Sequence, residues 1–170
     1  MLPKVETILY CTQMGPNSSY VFRHAYSLAK DLPAKIVVLH VLERLTRTQK
    51  AFVEGYSGQG TLEDILARAT EEAHVRIPKR IEEFCSKENV EGDWHDVVKD
   101  VVVVHGHAAE TILEQVEATQ ADLVVIGASA DSSLLERLTG NTAQKVIRSC
   151  PVPVITVQVP EGHQDLTIDS

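Results

Sequence analysis

Five short apolar runs recur along the 170-residue chain, and stretches with helical periodicity separate them. The runs cover residues 7–11, 34–41, 97–104, 122–126 and 152–159. The second run is apolar almost throughout, which is typical of a parallel strand that is covered by helices on both faces. Strands that alternate with helices pair in parallel through right-handed crossovers. The pattern therefore predicts one α/β domain built around a five-stranded, doubly wound parallel sheet.

Apolar residues spaced three and four apart predict four helices, over residues 18–30, 61–84, 108–118 and 139–149. Pro78 lies inside the second of them, where it is expected to kink or split the helix. Residues 42–60 are polar and show no sustained period, so we interpret them as a functional flap or a disordered excursion. Residues 160–170 form a polar tail, which leaves residues 1–159 as the predicted domain.

Charge and composition limit the classes of partner. A net charge of -8 argues against broad attraction to nucleic acid or anionic lipid, because phosphate contacts need clustered Lys and Arg. The apolar runs are far shorter than the roughly 20 residues of a membrane helix, and residues 1–6 lack the features of a signal peptide. Cys11, Cys85 and Cys150 are odd in number and widely spaced, so no disulfide framework is indicated. We expect a cytoplasmic protein with reduced thiols, no nucleic acid partner and no membrane insertion.

The main functional signal is the segment at residues 127–142, which leads from a buried strand to a helix start. It contains Gly127 and Gly140 among other small residues. Small residues let a ligand approach the backbone, and free N–H groups at a helix start donate to anions. The ligand crevice of a doubly wound sheet opens where the strand order reverses. If strands 1 and 4 are neighbours there, residues 12–15 face this segment, with the end of strand 2 near Val41. A plain turn after the strand is the alternative.

The chain resembles the universal stress protein family over residues 4–159. The motifs that carry the resemblance are Ile-Leu-Tyr-Cys-Thr-Gln-Met-Gly-Pro-Asn-Ser at 8–18, Leu-His-Val-Leu-Glu at 39–43, residues 106–110, Asp-Leu-Val-Val-Ile-Gly at 122–127 and Cys-Pro-Val-Pro-Val-Ile-Thr-Val at 150–157. The resemblance implies an adenine-nucleotide alpha-hydrolase-like fold with strand order 3-2-1-4-5 and a role in stress response. It also implies two functional branches, of which one binds ATP and the other does not.

The nucleotide motif of the ATP-binding branch is altered here. That branch is similar to Gly-x-x-Gly, nine residues, then Gly-Ser or Gly-Thr, and the matching positions are Gly127, Ala130, Gly140 and Asn141. A left-handed conformation at Ala130 would cost about 1 to 2 kcal/mol, whereas Asn141 keeps an amide that donates to phosphate. Family members tend to carry an aspartate where this chain has Gln13. Loss of that charge is expected to weaken binding about tenfold.

The ligand that the resemblance implies is ATP or AMP, with Mg²⁺ accompanying ATP. The implied nucleotide-binding residues are Thr12, Gln13, Val41, Gly127, Ala130, Gly140, Asn141 and Thr142. Residues 12 and 13 would line the adenosine pocket, the Val41 backbone would read the adenine edge, and residues 141 and 142 would meet phosphate. One alternative is a member of the non-nucleotide-binding branch that acts through protein–protein interaction. Another is a slow ATPase in which Asp131 or Glu110 helps to hold a metal, although no catalytic residue is assigned.

Three further features bear on function. His105 and His107 are two residues apart, which places them on the same side of an extended segment. They are interpreted either as part of a metal site or as an exposed pair. Cys11 is interpreted as a packed strand thiol, because no cation is recognisable beside it. The last strand, at residues 152–159, would expose unpaired backbone groups at a sheet edge, and pairing with a second copy in a homodimer would cover them. A monomer whose edge is protected by Pro151 and Pro153 is the alternative.

Overall fold

The computed structural model describes residues 1–56, 61–129 and 142–160, and this part of the chain forms five strands and five helices. The strands are β1 (Thr7–Thr12), β2 (Lys35–Glu43), β3 (Val98–Gly106), β4 (Leu123–Ser129) and β5 (Val154–Val159). The helices are α1 (Ser18–Asp31), α2 (Arg47–Tyr56), α3 (Leu62–Lys87), α4 (Ala108–Ala118) and α5 (Thr142–Ser149). A short 3-10 turn, Trp94–Asp96, precedes β3.

The strands pair in parallel in the order β3-β2-β1-β4-β5, which confirms the predicted α/β fold and strand order. β1 lies in the middle, and Cys11 is level with Leu39 of β2 and with Ile126 of β4. The chain winds outward from β1 through β2 to β3, and then returns to the other side of β1 with β4. The strand order therefore reverses between β1 and β4, where α/β sheets open a crevice at their carboxyl ends.

Two apolar clusters cover the two faces of the sheet, because alternate residues of a strand point to opposite faces. The first cluster joins the sheet to α1 and α3, and it includes Ile8, Tyr10, Phe22, Ile36, Val38, Ile77, Ile81, Phe84 and Val125. The second joins the sheet to α4 and α5, and it includes Leu9, Val37, Leu39, Ile112, Val116, Val124, Ile126 and Val146. Central strands that are buried on both faces explain why the apolar runs show no alternation.

Asp122 fixes the amino ends of β1 and β4 relative to each other. Its Oδ2 atom accepts hydrogen bonds from the backbone N–H groups of Glu6 and Thr7, each at 2.9 Å. Its own N–H donates to the Thr7 carbonyl at 2.9 Å. Three bonds thus hold the start of β4 against the start of β1. The register that they set determines which residues are level with each other at the carboxyl ends.

The connection after β2 differs from the prediction. Residues 47–56 form helix α2, so the expectation of a disordered excursion is wrong for them, while residues 57–60 lie outside the described residues. Thr46 and Gln49 form a reciprocal cap, with the Thr46 N–H donating to Gln49 Oε1 at 2.8 Å and the Gln49 N–H donating to Thr46 Oγ1 at 3.3 Å. The described side chains of α2 are mostly exposed. A helix of 10 residues is too short to show a sustained apolar period, but the Thr-x-x-Gln spacing is a start signal.

Helix α3 starts at the predicted position but is not split at Pro78. Thr61 caps it, since its Oγ1 accepts from the Asp64 N–H while Asp64 Oδ2 accepts from the Thr61 N–H. Buried residues lie on both sides of the proline, with Ala73 before it and Ile81 after it. Packing against the sheet therefore keeps the two halves in one helix despite the missing N–H. Of the predicted tail at residues 160–170, residues 161–170 lie outside the described residues.

Candidate functional site

The loop between β1 and α1, residues 13–17, makes a sharp turn at the carboxyl edge of the sheet; we call it the first loop. Thr12 Oγ1 accepts a hydrogen bond from the Met14 N–H at 3.0 Å. Met14 has φ +56, a left-handed conformation that costs a non-glycine residue about 1 to 2 kcal/mol. The Gly15 carbonyl then accepts from the N–H and the Oγ of Ser18, at 3.1 and 2.8 Å. These bonds leave the Gln13 side chain exposed at the turn.

Arg80 of α3 supports the first loop from one side of the sheet. Its Nη1 donates to the Met14 carbonyl at 2.5 Å, and its Nη2 donates to the Gly15 carbonyl at 3.1 Å. Hydrogen bonds from a charged donor stabilise by about 1.5 to 3 kcal/mol, against about 1 for neutral pairs. Sequence reasoning did not identify Arg80. The available signal was the position of Arg80 three residues after Ile77 and next to Ile81, which places a cation beside the apolar face of the helix.

A small pocket lies under the first loop, between β1, α1 and α3. It is lined by Tyr10, Thr12, Met14, Ser18, Ser19, Phe22, Val38, Ile77, Arg80, Ile81 and Phe84. The Tyr10 hydroxyl donates to the Ser18 carbonyl at 2.8 Å, and burial raises its pKa above the ordinary tyrosine value. The cavity volume is about 40 Å³. Since one water needs about 10 to 15 Å³, the pocket has room for a few waters and is too small for a nucleoside.

The main crevice lies beyond the carboxyl end of β1, because β1 is shorter there than its two neighbours. Its pairing with β2 ends at Thr12 and His40, so Val41 lies one residue past it. Its pairing with β4 ends at Cys11 and Ile126, and β4 continues through Gly127 to Ser129. We call the region beyond the end of β1 the crevice: by strand register, Val41 of β2 lies on one side of it and Gly127 of β4 on the other, and Thr12 and Gln13 lie where β1 ends.

Hydrogen bonds between backbone and side chain set the floor of the crevice. His40 Nδ1 lies 2.9 Å from the Thr12 carbonyl. Because a carbonyl only accepts, the Nδ1 atom must carry the hydrogen and donate it. The end of β1 is thereby tied to β2 immediately before Val41.

Gly127 has a packing role that the sequence did not reveal. A Cβ atom added to Gly127 would lie 2.9 Å from Cγ2 of Val21 in α1, closer than carbon atoms pack. Glycine in a strand often marks a place where another element approaches closely. The absence of a side chain at Gly127 therefore lets α1 lie against β4 and brings the first loop close to the crevice. Ligand access at Gly127 stays a prediction.

The structure brings together part of the predicted site. Thr12, Gln13, Val41 and Gly127 lie at the carboxyl edge on three adjacent strands or the loop after one of them. Thr142 is the first residue of α5, the helix that precedes β5. Because the strands are parallel, a helix that leads into a strand begins at the carboxyl edge of the sheet, so Thr142 lies at the same edge. Ala130, Gly140 and Asn141 lie outside the described residues, and so does Asp131. Four of the eight predicted positions thus lie at the end of β1 or level with it on the neighbouring strands, and their contact with a ligand stays a prediction.

The two histidines near the end of β3 have local contacts. His105 Nε2 lies 2.7 Å from Thr70 Oγ1, and the Thr70 hydroxyl donates to the Leu66 carbonyl at 2.9 Å. His107 Nδ1 lies 3.9 Å from Glu43 Oε2. Glu43 Oε1 also accepts from the N–H of Ala108, the first residue of α4, at 3.1 Å. Within residues 1–56, 61–129 and 142–160, no three His, Cys, Asp or Glu side chains are grouped to hold a metal ion.

Cys11 is half-buried against the second apolar cluster, and burial raises the pKa of its thiol well above the ordinary value. All three cysteines are free. A thiol with a raised pKa is protonated at neutral pH and is a poor nucleophile. The interpretation of Cys11 as a packed strand thiol is confirmed.

None of the helices in the described part of the chain is both long and apolar enough to cross a bilayer.

Comparison with known proteins gives a consistent family match. The sequence model of the Universal stress protein family matches residues 4–158. The chain is 28% identical to Universal stress protein MJ0531 of Methanocaldococcus jannaschii over 142 residues, which cover 82% of this chain and 74% of that protein. It is 26% identical to Universal stress protein MJ0577 of the same organism over 161 residues, which cover 90% of this chain and 94% of that protein.

Solved structures share the fold. That of hypothetical protein MJ0577 has a TM-score of 0.65 at 22% identity, covering 94% of this chain and 100% of its own. A universal stress protein in complex with cAMP has a TM-score of 0.55 at 16% identity, covering 92% and 98%. The universal stress protein from Archaeoglobus fulgidus in complex with dAMP has a TM-score of 0.51 at 19% identity, covering 89% and 96%.

Proposed function

Because the chain belongs to the universal stress protein family, we propose that it is a regulatory module that binds an adenine nucleotide, ATP or AMP, in the crevice. Relatives of the same fold were solved with cAMP and with dAMP, which supports this class of ligand. A role in stress response follows at the level of the family. We propose the cytoplasm as its location.

The observation that carries the proposal is the position of the crevice. β1 stops short between β2 and β4 at the point where the strand order reverses, and ligands of doubly wound sheets bind at this point. The first loop and the end of β4 leave the sheet side by side there. A nucleotide that lies across β1 could contact both neighbours at once.

The described residues supply donors and acceptors that fit a nucleoside. Val41 follows His40, the last residue of β2 that pairs with β1. In our proposal the backbone of Val41 forms hydrogen bonds with the edge of the adenine ring. Thr12 and Gln13 contribute a hydroxyl and an amide, which suit the hydroxyl groups of a ribose. The phosphates extend toward Gly127 and the start of α5 at Thr142. Ala130, Gly140 and Asn141 complete the proposed phosphate contacts.

Mg²⁺ is proposed only together with ATP. The described residues offer no group of three carboxylates or histidines, as a cage made by the protein alone would need. Mg²⁺ that accompanies a triphosphate usually needs only one or two protein ligands. The ion would therefore arrive with the nucleotide. Nothing in the described geometry assigns a base that positions water, so turnover is not part of the proposal.

The proposal includes a homodimer through β5. Among the described residues, β5 is the last strand of the sheet, and β4 pairs with only one of its edges. The side chains of Thr156 and Gln158 are exposed on it. A second copy that pairs with β5 around a twofold axis would satisfy the backbone groups of the other edge.

Isothermal titration with ATP, AMP and GTP tests the nucleotide proposal. We expect saturable heat with ATP and AMP, and a dissociation constant for GTP at least about tenfold higher, since guanine presents different groups at the edge that Val41 would read. Measurements with and without Mg²⁺ should differ for ATP and agree for AMP. Absence of heat at millimolar nucleotide would overturn the proposal and favour the branch that acts through protein–protein interaction.

A further inference from the structure

We propose that Arg80 is a positioning residue, which holds the first loop in the conformation that presents Thr12 and Gln13 to the crevice. Its relation to ligand binding rests on the proposed nucleotide function. Its hold on the first loop is a separate claim, which a measurement on the protein without ligand can test.

The contacts of Arg80 are directed at the loop backbone. One guanidinium joins two successive carbonyls, those of Met14 and Gly15, through two different nitrogen atoms, at 2.5 and 3.1 Å. Such a fork is a property of the planar guanidinium, and a lysine ammonium does not reproduce it. The two bonds together restrict the distance of this part of the loop from helix α3 and the rotation of its peptide groups.

Arg80 has a rigid base from which to hold the loop. Its neighbours Ile77 and Ile81 are each 4% exposed and belong to the first apolar cluster. Helix α3 is thus fixed against the sheet on both sides of Arg80. The guanidinium reaches the first loop through the wall of the small pocket, which Arg80 lines. Movement of the loop away from the sheet would therefore break these two bonds, and it would also withdraw Met14 from the first apolar cluster.

The first loop needs such support because Met14 holds a left-handed backbone conformation, with φ +56. The bond from the Met14 N–H to Thr12 Oγ1 stabilises one side of this turn. Arg80 stabilises the other side at the Met14 carbonyl. If the turn relaxes, Gln13 moves away from the base of the crevice. Only the molecules in which the loop keeps its conformation can then bind the ligand. The observed affinity falls in proportion to the fraction of such molecules.

The variant Arg80→Met removes the donors and keeps an apolar stem in the pocket, and Arg80→Lys keeps the charge without the fork. Lys79→Met is the matched control, because Lys79 is the adjacent residue, its side chain is 70% exposed, and the variant loses the same charge. Amide hydrogen exchange without nucleotide and titration with AMP are measured for all four proteins. Thermal unfolding shows whether each variant is folded.

We expect the amides of Met14 and Ser18 to exchange at least about tenfold faster in both Arg80 variants, while amides of β1 and β4 keep their protection. We expect AMP affinity to fall about fivefold to tenfold in both variants and to be unchanged in Lys79→Met. Unchanged exchange at Met14 and Ser18 would overturn the proposal. So would wild-type AMP affinity in Arg80→Lys, since charge alone would then suffice. If the wild type binds no nucleotide, the proposed function fails, and the exchange rates still decide whether Arg80 holds the loop.

Discussion

His40 donates the hydrogen on Nδ1 to the backbone carbonyl of Thr12, 2.9 Å away, across the last paired position of β1 and β2. This bond ties the end of the short central strand to its longer neighbour. The base of the crevice therefore depends on a side chain that belongs to the strand, and not only on the first loop. The relationship links the stability of the sheet edge to the geometry of the site.

Replacement of His40 by leucine should destabilise the fold by about 1 to 3 kcal/mol, because the half-buried Thr12 carbonyl loses its donor. Urea unfolding measures this change. His74→Leu is the control, since His74 is exposed on α3, and we expect it to shift stability by less than about 0.5 kcal/mol. Equal effects of the two substitutions would show that the bond to Thr12 contributes little.

Replacement of Gln13 by aspartate should raise the affinity for AMP by about threefold to tenfold, because a charged acceptor binds a ribose hydroxyl more strongly than a neutral amide. Titration calorimetry measures the dissociation constant. Ser27→Asp adds the same charge at an exposed position of α1 and should leave the affinity unchanged. A decrease in affinity on Gln13→Asp would place this side chain next to phosphate and contradict its proposed place beside the adenosine.

Replacement of Gly127 by alanine should destabilise the protein by about 1 to 3 kcal/mol, because the new methyl group would lie 2.9 Å from Cγ2 of Val21. A double-mutant cycle with Val21→Ala separates this packing effect from others. In the Val21→Ala background, we expect Gly127→Ala to cost at least about 1 kcal/mol less than in the wild type. Additive costs in urea unfolding would mean that the two positions do not compete for space.

Replacement of Asp122 by alanine should cost about 2 to 3 kcal/mol, because the backbone N–H groups of Glu6 and Thr7 lose their shared acceptor. The free energy of unfolding in urea is the measurement. Asp31→Ala removes an exposed carboxylate at the end of α1 and should change stability by less than about 0.5 kcal/mol. A loss below this limit for Asp122→Ala would refute its role in joining β1 to β4.

The double replacement Thr156→Lys with Gln158→Lys should convert the proposed dimer to a monomer, because like charges would face each other across the twofold strand pair. Sedimentation equilibrium measures the mass. Both side chains are exposed, whereas Ile155 packs against the first apolar cluster, so the double variant disturbs the core less than a change at Ile155 would. Ser27→Lys serves as the control, because it adds a lysine at an exposed position of α1. The pair Lys79→Met with Lys99→Met is unsuitable, because the Lys99 ammonium donates a hydrogen bond to Thr7 Oγ1. A wild-type protein that sediments as a monomer would refute the interface.

Some features of the site could not be predicted from the sequence, for identifiable physical reasons. Arg80 lies 66 residues from Met14 along the chain, and no spacing rule connects a helix side chain to a distant carbonyl. The requirement for glycine at position 127 depends on how closely Val21 approaches, which only packing determines. Helix α2 is only 10 residues long and mostly exposed, so it shows no sustained apolar period, although Thr46 and Gln49 carried a capping signal.

The sequence by itself determined the α/β class, the central strands and most of the helices, because burial on two faces requires long apolar runs and burial on one face requires a helical period. Its motifs also identified the family. Tertiary structure alone decided that β1 ends level with His40, one residue before Val41 of β2. It also decided that Arg80 supports the first loop and that α1 lies against Gly127. These relationships depend on strand register and on contacts between distant segments, which local patterns do not encode.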